Sequence, residues 1–274
     1  MTSSQPARPA FDWRNLGLRV ASAAILAPAA VYAVWDGGTP FFALVCIAAA
    51  LLAVEWGGMS TPATPIRTSI AVGLTILAAL FCGLAYAPRY GVLALAVGAA
   101  IATLALRSVT RRIGDVPFGA AYLGLPLLAL VWLRGSEQGW EWTLLLFAVT
   151  WSADIAAFGV GTVLKGPKLR PAFSPNKTWS GFIGGLAFAT LAALVADALL
   201  DLRIPWAWAL AIGLLGGFAT MAGDLWESWL KRRFGVKDSG DLIPGHGGLL
   251  DRVDGLLFAA VAVAVARWAL ETLG

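Results

Sequence analysis

Residues 228–254, SWLKRRFGVKDSGDLIPGHGGLLDRVD, interrupt a chain that is otherwise mostly apolar. They hold five basic residues, four acidic residues, five glycines and the only histidine, His246. An apolar run leads into this segment (205–227) and another leads out of it (249–271), each long enough at ~20 residues to cross a bilayer as a helix. Two spans joined by so short a connection must run antiparallel, so the segment reads as the polar turn of a helical membrane hairpin. Charges at a membrane are costly unless paired, hydrated or metal-bound, which makes the segment a functional-site candidate.

The pattern repeats outward along the chain. Nine apolar runs are long enough to span: 17–35, 38–56, 68–87, 90–106, 118–134, 141–163, 179–200, 205–227 and 249–271. The composition agrees, with 59% hydrophobic and 13% charged residues and a mean hydropathy of +0.76, against about 25% charged in soluble domains. The expectation is an all-α polytopic membrane protein with a cytoplasmic tail at 1–16 and a single membrane domain at 17–274. That domain divides into N-terminal helices (17–117) and a catalytic half (118–274). A cleaved signal peptide competes for the first run, but the many spans after it favour an uncleaved helix. Cys46 and Cys82 lie in apolar runs and read as packing thiols. Gly181, Gly184 and Gly185, like Gly213, Gly216 and Gly217, put small residues on one helix face, which suits close packing.

With nine spans, Lys and Arg distribute unequally between the two sides. Sixteen fall with the N-terminus, including Arg67, Arg107, Arg111, Arg112, Lys165, Lys168 and Arg170; only Arg89, Arg134, Arg203 and Arg267 fall opposite. The positive-inside rule therefore puts the N-terminus and both long polar loops in the cytoplasm. The net charge of +4 is modest, and no nucleic-acid partner is expected.

Asp224, Glu227, Ser228 and Lys231 lie at i, i+3, i+4 and i+7, on one helical face. Asp251 and Asp254 begin the last helix at i, i+3. Antiparallel helices let Asp224 and Asp251 face each other at similar depth. Converging carboxylates repel one another unless a cation intervenes. Mg²⁺ suits them, because it is bound through one or two carboxylates plus substrate phosphates. Lys231, Arg232, Arg233 and Lys237 beside flexible glycine backbone form a polyphosphate-binding pattern. A basic patch against anionic lipid is the plainer reading of the arginines alone.

The loop at 165–181, KGPKLRPAFSPNKTWSG, offers Ser174 and Lys177 to phosphate; a solvated loop capped at Thr178 is the alternative. Asp154, costly in an apolar helix by ~2.5–3.5 kcal/mol, should face the bundle interior. Glu55 reads as the buried partner of a basic group, without a catalytic role, and Arg111 and Arg112 as topology determinants.

The pattern S-x-L-K-R-x4-K-D-x-G-x2-I-P-x-H-G-G-L-x-D-R-V-D at 228–254 resembles the signature of the phosphatidate cytidylyltransferase (CDP-diacylglycerol synthase) family. SPNKTWSG at 174–181 is similar to the family's SPKKTWEG, departing at Asn176 and Ser180, and DIAAFGVG at 154–161 resembles its DxxAYxxG. The likeness covers the chain from about residue 120. It implies transfer of CMP from CTP to phosphatidic acid, giving CDP-diacylglycerol and pyrophosphate, at the inner membrane of a bacterium, by a homodimer.

The resemblance implies catalytic roles for Asp224, Asp251, Lys231, Lys237, Asp238 and His246. It implies substrate contacts from Ser174, Lys177, Thr178, Lys231, Arg232, Lys237 and Arg252. Mg²⁺ would sit on Asp224 and Asp251, with Asp154, Glu227 and Asp254 behind them and room for a second ion such as K⁺. A CTP-dependent lipid kinase and a cation-coupled transporter are the competing readings.

Overall fold

A computed structural model describes residues 24, 28–108, 110, 112–171, 174–242 and 247–273. The expected tail at 1–16, most of the first run, Arg111 and His246 lie outside the described residues. Residues 28–36 are helical and end at Gly37, whose φ of 72° stops the helix.

Eight long helices follow: α1 (Gly38–Ser60), α2 (Pro65–Ala85), α3 (Pro88–Leu106), α4 (Asp115–Gly135), α5 (Gly139–Leu164), α6 (Trp179–Leu200), α7 (Trp206–Phe234) and α8 (Leu250–Leu273). Each is long and apolar enough to cross a membrane. A helix meets every backbone hydrogen bond internally, as the bilayer interior demands. Large apolar side chains such as Leu74, Ile101, Ile155, Phe158, Ile183 and Leu199 are exposed on the bundle's outside. A surface this apolar belongs in lipid; the chain is an integral membrane protein.

The breaks between helices are written locally. Ala87 is extended (φ −173°, ψ 158°) before Pro88, which opens α3 from a first-turn position that needs no N–H donor. The connection expected at Pro88 and Arg89 therefore falls just before them. α7 departs furthest from expectation: it continues seven residues past 227 to Phe234. Its 29 residues span ~44 Å at 1.5 Å per residue, against a hydrocarbon core of ~30 Å. Lys231, Arg232 and Arg233 thus occupy its final turns, where positive charge complements the helix dipole. Gly235 (φ 77°) closes the helix while Val236 N donates to Lys231 O at 2.9 Å, a Schellman-type end.

Helices α1–α4 form one layer of the bundle and α5–α8 the other, joined where α4 packs against α5 and α8. Trp56, Leu52, Ile76, Leu80 and Leu123 are buried in the first layer and Leu145, Leu146, Ala189, Ile212 and Val263 in the second, where Leu133 of α4 joins them. The expected glycine faces do bring helices together. A Cβ on Gly213 would meet Thr190 Cα at 2.5 Å, and one on Gly217 would meet Ala189 Cβ at 2.6 Å. The ends of α1, α3, α5 and α7 and the starts of α2, α4, α6 and α8 share one end of the bundle, hereafter the loop end. A small hairpin lies there, β1 (Lys168–Arg170) antiparallel to β2 (Ser174–Thr178), with Lys168 opposite Thr178.

Candidate active site

The loop end gathers five carboxylates on three helices. Asp154 comes from α5, Asp224 and Glu227 from α7, and Asp251 and Asp254 from the first two turns of α8. They fall into two adjoining groups.

In the first group, Lys177 of β2 forms an ion pair with Asp224. Asp154 and Asp254 both feel the charge of Asp224 and the opposite charge of Lys177. The hairpin places Lys177 here because Thr178 caps α6: its Oγ1 accepts from Gly181 N at 3.2 Å, the usual role of a threonine before a helix. Trp179 N also donates to Pro167 O at 3.0 Å, tying the two hairpin arms together.

The second group centres on Lys231, whose Nζ lies 2.8 Å from Glu227 Oε2 and 2.7 Å from Asp251 Oδ1. Asp251 Oδ2 accepts from the backbone N–H groups of Ser239 and Gly248, each at 3.2 Å. Glu227 is buried, and its Oε1 has no hydrogen-bond partner. Asp254 acts electrostatically on Glu227 as well as on the first group. Among the described residues, five carboxylates thus stand with two ammonium groups, Lys177 and Lys231, in ion pairs with them beside an apolar core; the carboxylates outnumber those lysines. Such an excess is costly unless cations relieve it.

That surplus, with the orphaned Glu227 oxygen, fits a hard divalent cation bound partly by protein oxygens and partly by ligand phosphates. Among the described residues, no three carboxylate, histidine or cysteine side chains converge closely enough to ligate one ion by themselves.

Several expectations change. Asp224 and Asp251 do not share partners: one pairs with the hairpin lysine, the other with Lys231 and the loop backbone. Asp154 does not point into the bundle interior. It is exposed, off the packed face of α5 that carries Ala153 and Ala156, and it lies within electrostatic reach of Asp224 and Lys177. Thr178 is buried and its hydroxyl is occupied by the cap and by Ser180 Oγ at 3.0 Å. Ser174 is half-buried on β2. Lys237, Asp238 and Arg252 are exposed on the outer rim of the loop end, as is Arg232, whose Nη1 donates to Val236 O at 3.3 Å. Arg233 belongs to the scaffold: its Nη2 lies 2.7 Å from Asp115 Oδ1 at the start of α4, and its guanidinium stacks over the Trp229 and Phe234 rings.

Sequence reasoning missed Asp115 and misread Glu55. Among the described residues Glu55 pairs with no basic group; it accepts from the backbone of Leu249 and Leu250 and from Ser239 Oγ. The signal was available, since GGLLD offers no Ser, Thr, Asp or Asn ahead of α8 and leaves its first amides in need of an acceptor.

A sequence model described as the cytidylyltransferase family matches residues 17–270 of the chain. A phosphatidate cytidylyltransferase of Brucella suis is 40% identical over 258 residues, covering 90% of this chain and 91% of that protein. The phosphatidate cytidylyltransferase of Bacillus subtilis is 40% identical over 148 residues, 54% of this chain and 55% of its own. That of Mycobacterium tuberculosis is 39% identical over 137 residues, 50% of this chain and 40% of its own.

Proposed function

The chain belongs to the cytidylyltransferase family, and from that premise we propose that it transfers CMP from CTP to phosphatidic acid, forming CDP-diacylglycerol and pyrophosphate. The observation that carries the reading beyond family membership is the loop end, where carboxylates from three helices adjoin Lys177 and Lys231 beside an apolar bundle. A water-soluble nucleotide and a lipid meet only at such a boundary.

In the reaction a phosphate oxygen of phosphatidate attacks the α-phosphorus of CTP, and the bond from that phosphorus to the β-bridging oxygen breaks as pyrophosphate leaves. The nucleophile is already an anionic oxygen, so no strong base is required. The barrier lies in bringing two anions together, and positioning and electrostatics lower it. Lys177 and Lys231 supply positive charge at the two carboxylate groups, and each can exchange a carboxylate for a phosphate oxygen. Lys237, Arg232 and Arg252 at the rim draw the triphosphate in. Asp224 and Asp251 would hold Mg²⁺, with Asp154, Glu227 and Asp254 near enough to tune it or to support a second ion such as K⁺. When bound, Mg²⁺ neutralises charge on the phosphates.

This reading includes a loop end facing the cytoplasm from a bacterial inner membrane, supported by the sixteen-to-four asymmetry of Lys and Arg. A cysteine at exposed Lys237 should react with an impermeant maleimide in inverted vesicles and not in intact spheroplasts. A homodimer is also part of it, tested by cross-linking in native membranes. The decisive experiment incubates purified protein with phosphatidate bilayers, Mg²⁺ and CTP labelled at the α-phosphate. Label in the lipid product supports cytidylyl transfer, whereas released CDP with an unlabelled lipid product overturns it.

A further inference from the structure

Helix α8 carries Asp251 and Asp254, yet its start lacks a capping residue of its own. The amides of Leu249 and Leu250 would be left open next to the apolar core, at a cost of about 1–3 kcal/mol each. Both are met by one side chain from the other layer of the bundle. Glu55, near the loop end of α1, accepts from Leu249 N at 2.6 Å through Oε1 and from Leu250 N at 2.8 Å through Oε2. Oε2 also accepts from Ser239 Oγ at 3.2 Å.

Glu55 is only 3% exposed, so its charge is desolvated and balanced by these donors and the positive end of α8. The backbone is shaped around it. A side chain on Gly248 would run into Ser239 Oγ and crowd Glu55 Oε1 at 3.0 Å; one on Gly240 would come within 3.2 Å of Glu55 Cγ. The neighbouring Trp56, fully buried, donates from Nε1 to Asp115 O at 3.0 Å and sets its ring edge-on to Phe234 at 5.5 Å. The end of α1 thus grips the signature segment on both sides, at the close of α7 and the opening of α8.

The segment that Glu55 holds is joined directly to the site. Ser239, gripped through its hydroxyl, donates its amide to Asp251 Oδ2, and Gly248, next to Leu249, donates to the same oxygen. Glu55 and Asp251 therefore both tie Ser239 to the 248–250 backbone. We propose that Glu55 is a positioning residue for the reaction: by capping α8 in trans and tethering Ser239, it sets where Asp251 stands relative to Lys231 and the bound nucleotide. The proposal rests on the cytidylyltransferase reading above.

The test is Glu55→Gln in the full-length protein, an isosteric change that removes the charge and turns an N–H donor toward a backbone donor. Hydrogen–deuterium exchange of the peptide covering 247–251 should speed up about tenfold, because its amides lose their acceptor. With CTP and phosphatidate, kcat should fall about tenfold and the Mg²⁺ concentration for half-maximal rate should rise by a similar factor, the scale seen for groups that orient metal ligands. A purely structural cap would speed exchange and leave the Mg²⁺ requirement alone, and that result overturns the proposal; so does unchanged exchange. Should the variant not fold, Ser239→Ala removes one of the three anchoring bonds and must shift both readouts the same way on a smaller scale. A wild-type protein without cytidylyl transfer overturns the functional reading and the positioning role with it, whereas a wild type that turns over beside a variant with unchanged exchange or an unchanged Mg²⁺ requirement overturns the positioning role alone.

Discussion

The two ends of the bundle use buried charge in opposite ways. At the end away from the loops, Arg267 of α8 is almost fully buried. It pairs with Glu271 at 2.8 Å, donates to the carbonyl of Glu137, and lies between the rings of Trp132 and Trp142 at 5.7 and 4.9 Å. Arg134 donates from Nε to Val34 O at 2.8 Å and from Nη2 to Trp35 O at 3.1 Å. Apart from the half-exposed Glu271, those cations are held by backbone carbonyls and aromatic faces that no ligand would displace, and they staple helix ends together. At the loop end, carboxylates outnumber the lysines among them, and each lysine is held by carboxylates that a cation could take over. Buried charge with rigid partners is architecture; buried charge in excess is a place for something else to bind.

Breaking the loop end should have the largest effect. Asp224→Asn, and separately Asp251→Asn, should lower kcat by at least about a hundredfold, the scale for losing one preorganised electrostatic group. Both proteins should still elute from size exclusion like the parent. Near-normal turnover in either would remove that residue from the site. Lys177→Ala comes next, with a loss of about tenfold or more in kcat/KM for CTP. Its Asp224 partner is left uncompensated, so added Mg²⁺ should recover part of the loss.

At the opposite end the expected effects move from activity to stability. Arg267→Ala should lower the unfolding free energy by about 2 kcal/mol, from lost charged hydrogen bonds and ring contacts, while turnover well below the melting temperature stays within about twofold of the parent. A collapse of kcat without loss of stability would dissolve the distinction between the two ends.

The smallest effect belongs to Asp201, an exposed residue in the left-handed conformation (φ 50°) between α6 and α7. Its bonds to the Arg203 guanidinium, at 2.9 and 3.2 Å, hold the carboxyl below its ordinary range. A carboxyl depressed in the folded state stabilises above its unfolded pKa, and that contribution fades as pH falls through the lower folded value. The pair is screened by solvent, and asparagine tolerates the same backbone. Melting of Asp201→Asn should therefore match the parent from neutral pH downward, including the acid range where the ion pair titrates.

Much of this was legible in the chain itself. Runs such as 118–134 and 179–200 appear as helices within a few residues of their expected bounds, because the bilayer allows a long apolar segment little else. The faces of Gly213 and Gly217 were readable for a related reason: small residues at helical spacing matter chiefly where another helix comes close. The helical face joining Asp224, Glu227 and Lys231 follows from a period of 3.6 residues. Helix α7 outran its apolar stretch because its last turns are held by a basic, glycine-closed end that hydropathy does not weigh.

The sequence alone determined eight spanning helices and which segment gathers the charged residues between the last two, since each depends on local pattern and solvent. It also carried the family likeness. Only the tertiary structure decided which acid meets which base: Asp224 with Lys177, Asp251 with Lys231, Asp115 with Arg233, and Glu55 with backbone amides 194 and 195 residues away. Partner choice at that range depends on how the two layers pack, which no spacing along the chain records. A buried carboxylate must find donors somewhere; the fold, not its neighbours in sequence, decides that Glu55 finds them at the helix that carries the site.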